Sequence, residues 1–435
     1  MMSARGAAPT RYRWFVALLI FLVYACASAD RANIGIALPA IRAEFALSNT
    51  EAGAVISMFF LCYAAGQIPA GLLCARFGVR RVFPLAMAAT SVFTLLIGTA
   101  GGAATLKLWR AGLGLAEAAL PVSLLATINV WFAPREKGTA TGILLAAAKS
   151  GPVIVPPLGA LLIAGHGWRA LFVLFALPGL VLMALWMWLV PEHPSASPRV
   201  NPAEAAVIAA PALAGRPGAR RRFVRLDRLM RVRAMAPITS MGAVFGSADL
   251  WGCAAGYFLL SGLANVILAW LPSYLTEVKH FSLLRVGFVA AAPFAGAVVG
   301  NLAGGVFSDR VLGGRRKPMM MITAAATAGA MLALTRAPDG PLLMASMLFA
   351  TGFLLSVGYS SFAVFGMTMT DARRYPLALG LINTAGQAGG AVAPLVAGML
   401  LDAYDWDVVF EFLAGCSGLT LLLLAVIREA EPGGA

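Results

Sequence analysis

The chain has 435 residues, 60% of them hydrophobic and only 12% charged, with a mean hydropathy of +0.83. A soluble domain of this length would carry about twice that charged fraction, so a water-soluble globular fold is excluded. The formal net charge of +14 does not point to nucleic acid, because the basic residues are divided among short segments between apolar runs.

Crossing a membrane takes about 20 consecutive apolar residues. Such runs are predicted at 14–39, 52–75, 82–103, 107–132, 139–164 and 168–190. The first carries Asp30 and Arg31 side by side, in "YACASADRANIGIALP". "ACASA" resembles a signal-peptidase site, yet the apolar run resumes at once after Asp30, so one uncleaved helix is expected. The second run holds Tyr63 and ends in "GLLCARFGVRR". The fourth includes "RAGLGLAEAALP", which puts Arg110 and Glu117 on one face two helical turns apart, about 10 Å. Lys149 lies midway along the fifth, in "AAAKSGPVIVPP".

After these six runs the character changes. Residues 192–246 are rich in Pro and Ala and then become basic, with nine arginines between Arg199 and Arg233. Two readings stand for this linker: a basic amphipathic helix against anionic headgroups, or an unstructured link obeying the positive-inside rule. Six further runs follow at 250–275, 284–308, 318–335, 341–368, 379–401 and 407–427. They carry uncharged polar groups, among them Asn265, Ser356, Tyr359, Ser360, Asn383 and Gln387. Asp249 and Glu411 fall near run ends, where structural or interfacial roles are expected. Three domains are expected: a six-helix bundle over 1–191, the linker over 192–246, and a second bundle over 247–435.

The arginines and lysines cluster on the side that also holds both termini, which predicts cytoplasmic termini in a cell inner membrane. Five cysteines, at the ends of runs or within them, show no metal spacing and read as packing residues. No nucleophile triad, phosphate loop or metal cluster stands out, so no enzyme, cofactor, metal or catalytic residue is expected.

The halves resemble each other. Aligning "GILLAAAKSGPVIVPPLGALLIAGHGWRALF" with "GLINTAGQAGGAVAPLVAGMLLDAYDWDVVF" sets Gly142 on Gly380, Gly151 on Gly389, Pro156 on Pro394 and Trp168 on Trp406 without a gap. "GQIPAGLLCARFG" pairs with "GNLAGGVFSDRVLGG", and "ALPAIRAEF" with "WLPSYLTEV", in the same order. Repeated six-helix halves suit alternating access around a midplane site.

"GLLCARFGVRR" and "GGVFSDRVLGGRRK" resemble the G-x-L-x-D-R-x-G-R-R loop motif of the major facilitator superfamily. The resemblance implies an all-α membrane protein of twelve transmembrane helices in two pseudo-symmetric six-helix bundles, usually monomeric. In that superfamily the motif braces cytoplasmic helix ends in the outward-facing state, a role implied here for Gly71, Arg76 and Gly78 and for Gly305, Asp309 and Arg310. The first copy departs from the motif, with Ala75 at the Asp position.

A charge near the bilayer centre costs a few kcal/mol and marks a functional site by default. Asp30, Arg31, Arg110, Glu117 and Lys149 are the five that lie well inside runs. Asp30 and Arg31 diverge by about 100° around the helix axis, so each is expected to look elsewhere: Asp30 to Arg110, and Arg31 to Glu117 or a bound anion. A purely structural ion-pair network is the bland alternative, and buried pairs are poor stabilisers. The functional reading is proton-coupled anion transport. An Arg binds a carboxylate through its fork, while Asp30, Glu117 and Arg110 couple proton occupancy to anion occupancy.

The D-R pair of Asp30 and Arg31, the R-x6-E of Arg110 and Glu117, and Tyr63 resemble the anion:cation symporter branch of the superfamily. That branch carries sugar acids, carboxylates and related organic anions. Its fifth- and eleventh-span polar positions imply substrate contacts at Lys149 and Asn383, and Gln387, one of the polar groups of the later runs, is a further candidate contact. Lys149 departs from the neutral residue expected there. Beside Arg31 it suggests two anionic ends on the substrate, as in a dicarboxylate, sulfocarboxylate or phosphonate; alternatively it pairs with Glu117. Ser28, small and one turn before Arg31, leans the same way toward a short substrate. A hexonate- or hexuronate-type sugar-acid symporter and a proton-driven drug exporter remain the alternatives. An organic phosphate antiporter would want a cation in the seventh span, where there is none.

Overall fold

The computed structural model describes residues 8–133, 136–209, 230–233, 235–312, 315–371 and 374–430. Each apolar run is helical, because in hydrocarbon a backbone segment has only itself to satisfy its amides and carbonyls. In chain order the first group is α1 (Tyr12–Phe45), α2 (Asn49–Phe77), α3 (Val79–Ile97), α4 (Ala103–Glu117), α5 (Ala119–Trp131) and α6 (Lys137–Leu189). The central segment adds the short helices α7 (Pro202–Ile208) and α8 (Met241–Phe245), with strand β1 (Val232–Arg233) between them. The second group is α9 (Ala248–Glu277), α10 (Leu283–Arg310), α11 (Lys317–Leu334), α12 (Pro341–Val357), α13 (Tyr359–Met369), α14 (Tyr375–Ala403) and α15 (Trp406–Val426). A final strand, β2 (Glu429–Ala430), pairs in parallel with β1.

Among the described residues, 11 helical segments are long and apolar enough to cross a membrane. One of them, α6, has 53 residues, about twice what a crossing needs. It breaks at Gly167, whose φ of 77° suits a residue without Cβ, and so supplies the fifth and sixth spans. The twelve spans expected from the sequence are therefore present. Ala118 keeps helical angles, φ −56° and ψ −28°, so α4 and α5 form one bent span. Large apolar side chains such as Leu85, Leu161, Trp188 and Leu342 stay exposed, as on a surface that lipid covers. The chain is a multi-pass membrane protein.

Contacts divide the chain into two compact units, residues 1–34 with 62–215 and residues 35–61 with 216–435. In the first, Phe83 packs on Trp186 with ring centroids 4.4 Å apart, and Trp131 is fully buried. The start of α1 is capped from the linker. Glu204 of α7 accepts the amides of Tyr12 at 2.9 Å and Arg13 at 3.0 Å, and Arg13 Nη1 at 3.0 Å. Arg13 also forks onto Glu136 at 2.8 and 2.9 Å. Burial alone would raise the Glu204 pKa, but hydrogen bonds from Thr10, Arg13 and Tyr12 hold it below the ordinary carboxylate value.

The second unit is built the same way. Asp402 accepts the first amides of α2, from Asn49 at 2.9 Å and Thr50 at 2.8 Å, while Arg42 pairs with Glu277 at 2.5 Å. Glu429 accepts the Arg316 and Lys317 amides at the start of α11, at 2.6 and 3.1 Å. Asp249 takes the Arg428 guanidinium at 3.0 Å, the structural role expected of it. The stretch expected as an amphipathic helix lies, except for its last residues, outside the described residues.

Candidate functional site

The five intramembrane charges all belong to the first unit. Arg31 projects from α1 and Glu117 from the end of α4. A single Glu117 oxygen, Oε1, accepts a hydrogen bond from Arg31 Nε at 2.5 Å and lies at the same distance from Arg31 Nη2. The carboxylate thus sits on the guanidinium edge best shaped for an acid group. The other oxygen, Oε2, is buried without a hydrogen-bond partner among the described residues. Glu117 is fully buried, whereas the Arg31 side chain keeps 17% exposure. The expected pairing of Arg31 with Glu117 is the one observed.

Two tyrosines hold the guanidinium. The Tyr63 ring centroid lies 5.0 Å from Arg31 Cζ and its hydroxyl 3.5 Å from Nη2. Tyr24 places its ring at 5.6 Å. Such cation–π contacts strengthen where water is excluded. Sequence reasoning singled out Tyr63 and missed Tyr24. The signal was its position seven residues before Arg31, two turns along the same helix face.

Asp30 turns away from Arg31, as neighbouring helix positions must. It is buried at 3% exposure, accepts a hydrogen bond from Asn33 Nδ2 at 3.4 Å and has Thr94 and Arg110 beside it. Arg110, fully buried, faces both Glu117 and Asp30. Lys149 is half-buried and close enough to Arg31 to feel its charge. Ser28 does not simply leave room: its hydroxyl accepts the Gly151 amide of α6 at 3.2 Å and has two carbonyls in reach of its one proton, Ala25 of its own helix at 2.9 Å and Ala147 of α6 at 3.0 Å. Two carboxylates, two guanidinium groups and an amine thus share one buried region, able to exchange an internal carboxylate for an external one.

Asn383 and Gln387 stand on α14 in the second unit, one turn apart and both half-buried. Of the loop-motif residues, Gly78 caps α3 with φ 78°, and Arg76 ends α2 exposed, its Cζ 5.4 Å from the Phe77 ring. Gly71 and Gly305 face open space, and Gly304 beside the latter packs closely on the Val357 backbone. Arg310 ends α10 exposed, and the side chain of Asp309 lies outside the described residues.

The sequence model of the Major Facilitator Superfamily matches residues 20–393 and 280–435. A probable sulfoacetate transporter of Cupriavidus necator is 29% identical over 437 residues, covering 95% of each chain. A probable galactarate/D-glucarate transporter of Bacillus subtilis is 28% identical, covering 91% of this chain and 87% of its own. A probable L-galactonate transporter of Escherichia coli is also 28% identical, over 95% of this chain and 89% of its own. A D-xylose-proton symporter of known structure superposes with a TM-score of 0.72 over 96% of this chain and 98% of that one. At 17% identity this last likeness is one of fold alone.

Proposed function

The chain belongs to the Major Facilitator Superfamily, and on that premise we propose that it is a proton-coupled symporter importing a short organic dianion across the cell inner membrane. The observation that carries the reading is the Glu117 carboxylate seated on the Nε–Nη2 edge of Arg31. That edge is where a substrate acid would bind, so Glu117 and substrate compete for it. A proton on Glu117 removes the competing charge and frees the guanidinium. Asp30, with Arg110 beside it, is the second protonatable group of the same switch.

Lys149 supplies the second cation, which favours two acid groups on the substrate. The compounds in two relatives' names support this: sulfoacetate, and galactarate or D-glucarate, each carry two acid groups. A sugar acid with a single acid group is the second reading, favoured by the galactonate relative. In this scheme 1–191 and 247–435 act as the two bundles, both termini face the cytoplasm, Asn383 and Gln387 contact substrate from the second, and the protein works as a monomer.

Uptake into proteoliposomes with an imposed inward proton gradient tests the proposal, with sulfoacetate, galactarate and galactonate as substrates. Gradient-dependent accumulation that favours the two dianions, and loses that preference in Lys149→Gln, is expected. Exchange of a lipophilic cation for protons, with no anion moved, would overturn it in favour of an exporter.

A further inference from the structure

Asn33 stands in α1 where its surroundings disfavour it. Asn is a weak helix former, because its side chain competes for backbone hydrogen bonds, and a polar amide inside a membrane span is costly unless it is used. The side chain is nonetheless fully buried, at 0% exposure. One end of its amide is engaged: Nδ2 donates to Asp30 Oδ1 at 3.4 Å. The other end, Oδ1, is buried without a hydrogen-bond partner among the described residues. The two residues are three apart on one helix and so share a face.

A buried acceptor left without a donor is rare, and the chemistry of Asp30 accounts for it. An ionised carboxylate only accepts, whereas a protonated one also has an O–H to give. The groups that face Asp30 are Cys26 and Arg31 of α1, Thr94 of α3, and Arg110 and Glu117 of α4. The guanidinium groups only donate and an ionised Glu117 only accepts, so each suits one state of Asp30. The Thr94 hydroxyl can do both, but makes no hydrogen bond among the described residues. The Asn33 amide carries a donor end and an acceptor end. Turning it over about the Cβ–Cγ bond sets Oδ1 beside Asp30 in place of Nδ2, where the O–H of the acid finds an acceptor.

We propose that Asn33 is a positioning residue for the coupling proton: its amide holds Asp30 through Nδ2 when the carboxylate is ionised and, turned over, through Oδ1 when it is protonated. It does not touch the substrate. The ionised state gains more, because a hydrogen bond to a charged group is about twice as strong as a neutral one, so Asn33 eases release of the proton. This rests on the reading of Asp30 as a protonatable group, and the experiment separates the two.

The test follows the infrared C=O band of protonated Asp30 across pH in the purified protein, with thermal unfolding as a control for folding. The band is identified as the one that Asp30→Asn removes. Absence of any titrating Asp30 band would overturn the reading of Asp30 itself. Given that band, Asn33→Val is expected to carry its midpoint on the order of one pH unit further into the alkaline range. The band should also move to higher wavenumber, as for an acid freed of its acceptor. Asn33→Thr has the shape of Val with a hydroxyl that donates and accepts, and should recover about half of the shift or more. If Asn33→Val does not fold, Asn33→Ala makes the same comparison. An unchanged midpoint and wavenumber overturn the positioning role, and an equal shift in the Thr variant overturns it too, by assigning the effect to packing.

Discussion

Replacing Glu117 by Gln isolates the competition on which the proposed proton coupling depends. The substitution keeps the side chain's shape and its ability to accept one hydrogen bond, but removes the charge. In the wild type, Oε1 accepts Arg31 Nε at 2.5 Å with Nη2 at the same distance, and in the proposed scheme a substrate acid displaces it. Hydrogen bonds to charged groups contribute about 1.5–3 kcal/mol each, or about 10- to 150-fold in affinity. A neutral amide retains about half that strength, so the gain at alkaline pH should be about tenfold. The sign follows from linkage: proton and anion each favour the state the other prefers, so wild-type affinity rises as pH falls. Glu117→Gln should bind sulfoacetate about tenfold tighter at pH 8, with a flattened pH dependence. It should still exchange substrate across the membrane while losing proton-driven accumulation. Titration calorimetry at two pH values and paired exchange and uptake assays measure these quantities. Weaker binding at pH 8 with the wild-type slope intact would refute the competition.

Three further outcomes are expected. Arg31→Lys keeps the charge but loses the fork and its seat between Tyr24 and Tyr63, so uptake should fall by about two orders of magnitude, as for loss of a bidentate pair; a loss below tenfold would show that charge alone suffices. The Glu204 carboxylate is held below its ordinary pKa, so its share of stability is present above the unfolded value near pH 4–5 and is lost as pH falls through the folded one. Protection of the α7 amides against hydrogen exchange, relative to their intrinsic rates, should fall over that acid range, and in Glu204→Gln it should already be low at neutral pH; equal protection would refute the clasp. Gly304→Val would set a Cβ 1.7 Å from the Val357 carbonyl oxygen, and overpacking of this kind costs about 1–3 kcal/mol. The unfolding temperature in detergent should drop, and an unchanged value would place the α10–α12 approach elsewhere.

The spans were legible because lipid enforces a long apolar run for every crossing, and the same background makes each intramembrane charge stand out. The Arg31–Glu117 pair could be read from two local facts, the angular divergence of Asp30 and Arg31 and the two-turn spacing on α4. What was not legible depends on helix rotation and long-range register. Ser28 reads as vacant space in the sequence, but in the structure its hydroxyl accepts the Gly151 amide from another helix, a partner no local pattern reports. The capping acids Glu204 and Glu429 sit in segments that look like linker and tail. Each serves amides more than 100 positions away, which no local pattern reports.

Charge balance in the cluster carries the argument to stoichiometry. With all five groups ionised, three cations oppose two carboxylates and leave one net positive charge. A single acid group neutralises that charge without any proton. A dianion overshoots it, and in a buried region an uncompensated charge is costly. The dianion complex regains neutrality when one carboxylate, Glu117 or Asp30, takes a proton. Binding of sulfoacetate near neutral pH should therefore draw about one more proton from solution than binding of acetate, by this same charge count. Calorimetry in two buffers of different ionisation enthalpy reads that difference directly. Equal proton uptake for the two anions would mean that the cluster's charge is balanced by groups outside it, and the proton would then have to be coupled elsewhere.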